Sequence, residues 1–129
     1  MKNLTCEHVV DQNHASVDWV NLNGKRFLKF VFLGNFTEKL ANDLIQRWKN
    51  LMHECNDNKI FIICECTNMK DYDAKARIIY QKTLMEFKDR IQGFWVITPS
   101  KIIKYGAIIM ATFTGFPIKV VEKEEDIKI

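Results

Sequence analysis

Lys59-Ile60-Phe61-Ile62-Ile63-Cys64-Glu65-Cys66 is a short run that is apolar at nearly every position. Strands with one wet face alternate in polarity; a run without alternation suits a strand covered on both faces, as in parallel sheets. Parallel strands need crossovers, so helices are expected on either side of this run. Upstream, Leu40, Leu44, Ile45, Trp48, Leu51, Met52 and Cys55 recur at helical spacing and make one apolar stripe. Asn35, with Glu38 three residues on, fits the cap of that helix, Thr37 being a competing cap, and Asn56-Asp57-Asn58 closes it. Downstream, Thr67-Asn68-Met69-Lys70-Asp71-Tyr72 reads as a loop leading to Asp73 as the next cap. Ala76, Ile79, Tyr80, Thr83, Leu84 and Phe87 then mark a second helix to about Arg90.

Further out, Gly93 to Thr98 reads as another buried strand. Thr98 is the expected cap of a third helix, with Pro99 at its first position. Ile102, Ile103, Ala107, Ile109, Met110 and Phe113 carry that helix to Gly115. Phe116 to Val121 suggests a last strand, with Pro117 at an edge or a strand start because it lacks a donor. On the other side, Ala15–Leu22 and Lys25–Leu33 flank Asn23-Gly24, the dipeptide of a type I′ hairpin turn. The order β-β-α-β-α-β-α-β predicts an α/β fold with a mixed sheet of about five strands, an N-terminal antiparallel hairpin and three main helices. One domain is expected over 1–129, with an extension over 1–14 and an acidic tail over 122–129 that forms a short helix or frays.

The totals agree with a globular chain: 129 residues, 47% hydrophobic, 27% charged, net charge +3. At this size roughly two-thirds of the unfolded surface is buried on folding, so neither disulfides nor a metal is needed for a core. No run of five basic residues occurs, and Glu122-Lys123-Glu124-Glu125-Asp126 would repel phosphates, so a nucleic-acid partner is not expected. The first residues lack the apolar segment of a signal peptide, and no apolar run reaches 18 residues. A cytoplasmic chain without a transmembrane segment follows as the expectation, with Cys6, Cys55, Cys64 and Cys66 as reduced thiols. Cys64 and Cys66 share one face of a strand and read as small core residues; His8, His14 and His53 are scattered, so no metal site is expected. Asp71 and Asp73 have no neighbouring His, and no His is placed to activate Cys66. Glycine-rich phosphate loops and the Gly-x-Ser-x-Gly elbow are missing. Neither a catalytic residue nor a cofactor is expected.

The element order, with Gly34 and a polar turn at the start of the first helix, resembles the STAS domain, the fold of bacterial anti-sigma-factor antagonists. The resemblance covers roughly Val17 to Glu125 and extends to a divergent STAS-like group of small uncharacterised proteins. Phosphorylated members of that family carry Asp-x-Ser and then Asp-Ser-Ser-Gly at the start of the second helix. The counterparts here are Glu65-Cys66-Thr67 and Asp73-Ala74-Lys75-Ala76. Lys75 stands where the phosphorylated serine would be and Ala76 replaces the glycine, so the resemblance implies the fold without the serine phosphoswitch. It also implies a non-enzymatic regulatory or protein-interaction role.

Two surfaces are candidates for that role. The first is the second helix with its preceding loop: Asp71, Tyr72, Lys75 and Arg77. The second is the third helix, apolar nearly all round, where Ile108 and Phe113 would meet a partner, with a homodimer as first choice. The alternative is a binding module for a small apolar, acyl or lipid-like ligand, with the third helix as pocket wall. Ligands of open parallel sheets gather at the carboxyl ends of the strands. There Asn35, Thr67, Thr98, Ser100 and Lys101 could form an anion-binding edge at helix N-termini, or serve merely as caps and solvated charges.

Overall fold

Asn23 and Gly24 both take positive φ, 53° and 77°, as a type I′ turn requires. They join β1 (His14–Leu22) to β2 (Lys25–Phe36) in an antiparallel pair that runs in register from Leu22↔Lys25 to His14↔Leu33. The structure is a computed structural model and describes residues 12–57 and 59–128. Most of the expected N-terminal extension, with Cys6 and His8, lies outside the described residues, as do Asn58 and Ile129.

After β2 come α1 (Glu38–His53), β3 (Ile60–Tyr72), α2 (Ala74–Glu86), β4 (Ile91–Ile97), α3 (Lys101–Thr114) and β5 (Lys119–Val121). The sheet order follows the chain, β1-β2-β3-β4-β5, and every pair after the hairpin is parallel. The expected mixed five-stranded sheet with three helices is therefore present. Pro117 precedes β5, which is shorter than the expected strand and lies at the sheet edge.

The three helices share one core with one face of the sheet. Leu28, Phe30, Ile62, Cys64, Phe94 and Val96 meet Trp48 and Met52 of α1, Tyr80 and Leu84 of α2, and Ile103 and Ala107 of α3. Trp48 sits at its centre, 4.8 Å from both the Phe30 and Tyr80 rings. Phe27 of β2, Phe61 and Ile63 of β3, and Trp95 and Ile97 of β4 point the other way, and Phe27, Ile63, Trp95 and Ile97 form a second cluster with Ile127 from the tail. β3 is thus buried on both faces between Ile60 and Cys64, as its unbroken apolar run requires.

Several boundaries differ from the sequence reading. β2 continues through Asn35 and buries Phe36, so Thr37 is the cap of α1, its hydroxyl accepting from Leu40 N at 3.3 Å. Thr67–Tyr72 is strand rather than loop, because it pairs with the extended β2 as far as Phe36↔Tyr72. α2 ends at Glu86, and a 3-10 turn over Lys88–Arg90 follows. Ser100 caps α3, accepting from Ile103 N at 3.4 Å; Thr98 is buried and its hydroxyl accepts from Ser100 N instead. The tail turns once as a 3-10 helix over Glu124–Asp126.

Candidate functional site

Beyond the end of β4, β2 and β3 run on as a two-stranded projection, with Asn35 opposite Asp71 and Phe36 opposite Tyr72. This brings the starts of α1 and α2 together. Asp73 N donates to Phe36 O at 2.9 Å, and the Asp73 carboxylate accepts from Glu38 N at 3.2 Å. Asp73 holds the cap position of α2, but its side chain makes no bond to that helix and serves the first turn of α1. The Asp71 carboxylate accepts from Tyr72 N at 2.8 Å. Both aspartates are therefore engaged by backbone, which suits positioning better than proton transfer.

Of the expected surface, Asp71 and Tyr72 end β3, and Lys75 and Arg77 lie in the first turn of α2. Asp71 and Lys75 are exposed; Tyr72 and Arg77 are half-buried. Arg77 donates to Gln81 on the next turn at 3.3 Å. Tyr72 lies against Gly106 of α3, where a Cβ would stand 2.8 Å from its ring. Glycine at 106 is what lets α3 settle onto the β3 projection.

The five residues of the expected anion edge do not converge. Thr98, Ser100 and Lys101 line one cleft with Lys104, Val121 and Glu122, but Asn35 and Thr67 do not. Asn35 N is bonded to Asn13 Oδ1 at 2.9 Å. Thr67 folds onto its own strand, its N–H and hydroxyl both donating to the Glu65 carboxylate. The reason is the long pairing of β2 and β3, which carries these two residues away from the start of α3. Glu122 also places a carboxylate in the cleft, against the charge an anion site needs.

α3 shows two faces. Ile103, Gly106, Ala107 and Thr114 are buried, while Ile102, Tyr105, Ile108 and Phe113 are 55%, 63%, 46% and 67% exposed. A helix whose apolar surplus exceeds what the sheet can cover must present the rest to solvent or a partner. Beneath its inner face lies an apolar cavity of about 60 Å³, walled by Ile103, Gly106, Ala107 and Met110 and floored by Cys64 and Cys66.

The cysteines behave as core residues. Cys64 Sγ lies 3.2 Å from the Tyr80 hydroxyl, and burial pushes its thiol from 9.0 up to about 12. Burial raises Cys66 as well, helped by the negative charge that Cys64 and Glu65 would carry. Such thiols stay protonated and are poor nucleophiles. Among the described residues no three His, Cys, Asp or Glu side chains converge as a metal site would need, and no helix is long and apolar enough to cross a membrane.

Two features carry little signal in local sequence patterns. One is Arg90, whose guanidinium donates to the carbonyls of Met52, Cys55 and Asp57 at the end of α1. The other is the tail lying over the second cluster; a lone Ile127 after an acidic run was its one trace.

Neither a family of known proteins nor a curated protein matches the chain. Among solved structures it is similar to an uncharacterised protein of the DUF3478 family, with a SpoIIAA-like fold, from Shewanella loihica PV-4. The TM-score is 0.73 at 12% identity, over 89% of this chain and 91% of that one. At such identity the likeness concerns the fold, and it bears out the STAS-like architecture: this is an α/β protein with a SpoIIAA-like fold.

Proposed function

We propose that this chain is a non-enzymatic, STAS-like protein-interaction domain, one domain over 1–129 and cytoplasmic, that works through the outer face of α3 and pairs first with a second copy of itself. The observation that carries the reading is the exposure of Ile102, Tyr105, Ile108 and Phe113 along a single helix. Scattered apolar residues are ordinary on a surface; a contiguous set on one element marks a contact site. Asp71, Tyr72, Lys75 and Arg77 adjoin this helix through Tyr72 and Gly106 and would supply a polar rim. No serine phosphoswitch is part of the proposal: Lys75 has no hydroxyl, and a phosphate on Thr67 would stand beside the Glu65 carboxylate.

The test is the oligomeric state by light scattering across a concentration series. A dimer in the native chain that becomes monomeric in Ile108→Lys supports the reading. An oligomer unchanged in both Ile108→Lys and Phe113→Lys defeats it.

A second reading, a module for a small apolar ligand, is favoured by the cavity beneath α3, which lies where that reading needs it. Its size restricts the ligand. About 60 Å³ is small beside the several hundred Å³ of a usual ligand pocket, so the cavity suits a small apolar group better than a whole acyl chain. Native mass spectrometry of freshly purified protein decides the matter: a co-purifying acyl or lipid mass would revive it, a bare chain would end it.

A further inference from the structure

The helix-free face of the sheet is covered differently from the helical one. Its floor is aromatic: Phe27 lies 5.3 Å from Phe61 and 6.0 Å from Trp95 between ring centroids. Gly93 leaves room for the indole, since a Cβ there would stand 2.7 Å from the Trp95 ring. The rim is basic. Lys25 and Lys119 sit over the Phe61 and Trp95 rings at 5.9 and 5.8 Å, and Lys29 projects from the same face of β2. What covers this floor is the tail, Glu122 to Lys128, with four acidic residues.

The tail's attachments are few. Lys29 Nζ pairs with Glu124 Oε1 at 3.2 Å, and Ile127 inserts its side chain against the aromatic cluster. After Thr98 N bonds to Val121 O, the tail's backbone bonds among the described residues stay inside it, Asp126 N to Lys123 O and Ile127 N to Glu124 O. A segment held, among the described residues, by one ion pair and one apolar side chain opens at low free-energy cost, whereas the floor beneath it is fully apolar. We propose that this face is a docking surface for an acidic partner segment bearing an aliphatic side chain three residues after a glutamate, and that the tail is its intramolecular occupant. The opposite charges of rim and tail set the first requirement, and the seat of Ile127 sets the second. A nucleic acid fits less well, because the contact seen on this floor is an aliphatic one, from Ile127, within an acidic segment.

The experiment uses the full chain and a labelled peptide with the sequence of residues 121–128, read by fluorescence anisotropy. Releasing the tail by Glu124→Lys with Ile127→Asp should raise the affinity for this peptide at least tenfold over the native chain. Added salt should weaken the binding, and a peptide with Ile127→Asp should lose it. Equal affinity in both chains, undiminished binding of the Ile127→Asp peptide, or tighter binding of an oligouridine would overturn the proposal. So would a released variant that no longer folds, since the tail would then be an indispensable layer. Hydrogen exchange on the native chain gives an independent check. Tail amides should exchange at least a hundredfold faster than those of Ile62 to Cys64, and equal protection would overturn the proposal as well.

Discussion

The Asp73 carboxylate, at the cap position of α2, accepts its hydrogen bond from Glu38 N in the first turn of α1, 35 residues away. Together with Asp73 N bonded to Phe36 O, this ties two helix starts to the shared end of β2 and β3. Helix N-termini leave N–H groups without partners, and a carboxylate there both accepts a bond and meets the positive end of the dipole. Asp73→Ala should therefore destabilise the fold by about 1 kcal/mol, the usual size of a lost cap. Asp73→Asn, which keeps an acceptor oxygen, should lose less than half of that. Urea denaturation of the three proteins measures the difference; equal midpoints would show that the bond contributes nothing.

Arg90 does at the other end of α1 what Asp73 does at its start. The guanidinium reaches the carbonyls of Met52 at 3.1 Å, Cys55 at 2.5 Å and Asp57 at 3.2 Å, at the helix end where carbonyls run short of donors; Met52 O also accepts from Cys55 N at 3.4 Å. A planar fork can serve several acceptors at once, which a single ammonium cannot. Arg90→Ala should cost about 2–3 kcal/mol, in line with bonds to a charged donor, and Arg90→Lys should recover only a minor part. Thermal unfolding by circular dichroism would show it, and a lysine variant as stable as the native chain would rule the fork out.

These long-range ties mark where local sequence reading stops. The apolar runs of β2, β3 and β4 and the stripe of α1 were legible because burial writes a periodicity into neighbouring residues. Asn35, Asn68 and Asp71 looked like loop residues because their own β propensity is low, yet pairing between two long strands overrides propensity. Thr98 and Ser100 both carry hydroxyls near Pro99, and only the folded turn distinguishes the one that caps α3 from the one that braces it. The exposed face of α3 was visible as an apolar surplus, since three helices on one side of five strands cannot cover every residue. The aromatic floor under the tail was not visible, because its residues come from three strands and its cover from one isoleucine.

Gly106 and Tyr72 form a contact that admits no side chain between them. A Cβ at 106 would sit 2.8 Å from the tyrosine ring, inside van der Waals distance. Gly106→Ala gains about 1 kcal/mol in helix propensity but forces α3 away from β3, and overpacking of this kind typically costs 1–3 kcal/mol. The net effect should be destabilising in the native background. In Tyr72→Ala the clash is gone, so the same substitution should turn neutral or stabilising. A double-mutant cycle in urea reads this change of sign; additive effects would mean that the ring moves aside freely.

Cys64 makes the fold sensitive to alkali. In the unfolded chain its thiol ionises near 9.0; in the fold, burial holds the proton to about 12, and the neighbouring Tyr80 hydroxyl is raised by burial as well. The folded state thus binds more protons between those limits, so the thiol's stabilising contribution is complete below pH 9 and is lost as pH rises toward 12. For one fully buried thiol the total is on the order of 4 kcal/mol, an upper bound because the chain can open and hydrate the site first. Under reducing conditions, the urea midpoint of the native chain should fall steeply between pH 8.5 and about 11. In Cys64→Ala the starting stability is lower, through lost packing, but the fall over the same interval should be shallower. Parallel slopes in the two proteins would place the alkaline transition on other groups and remove Cys64 from it.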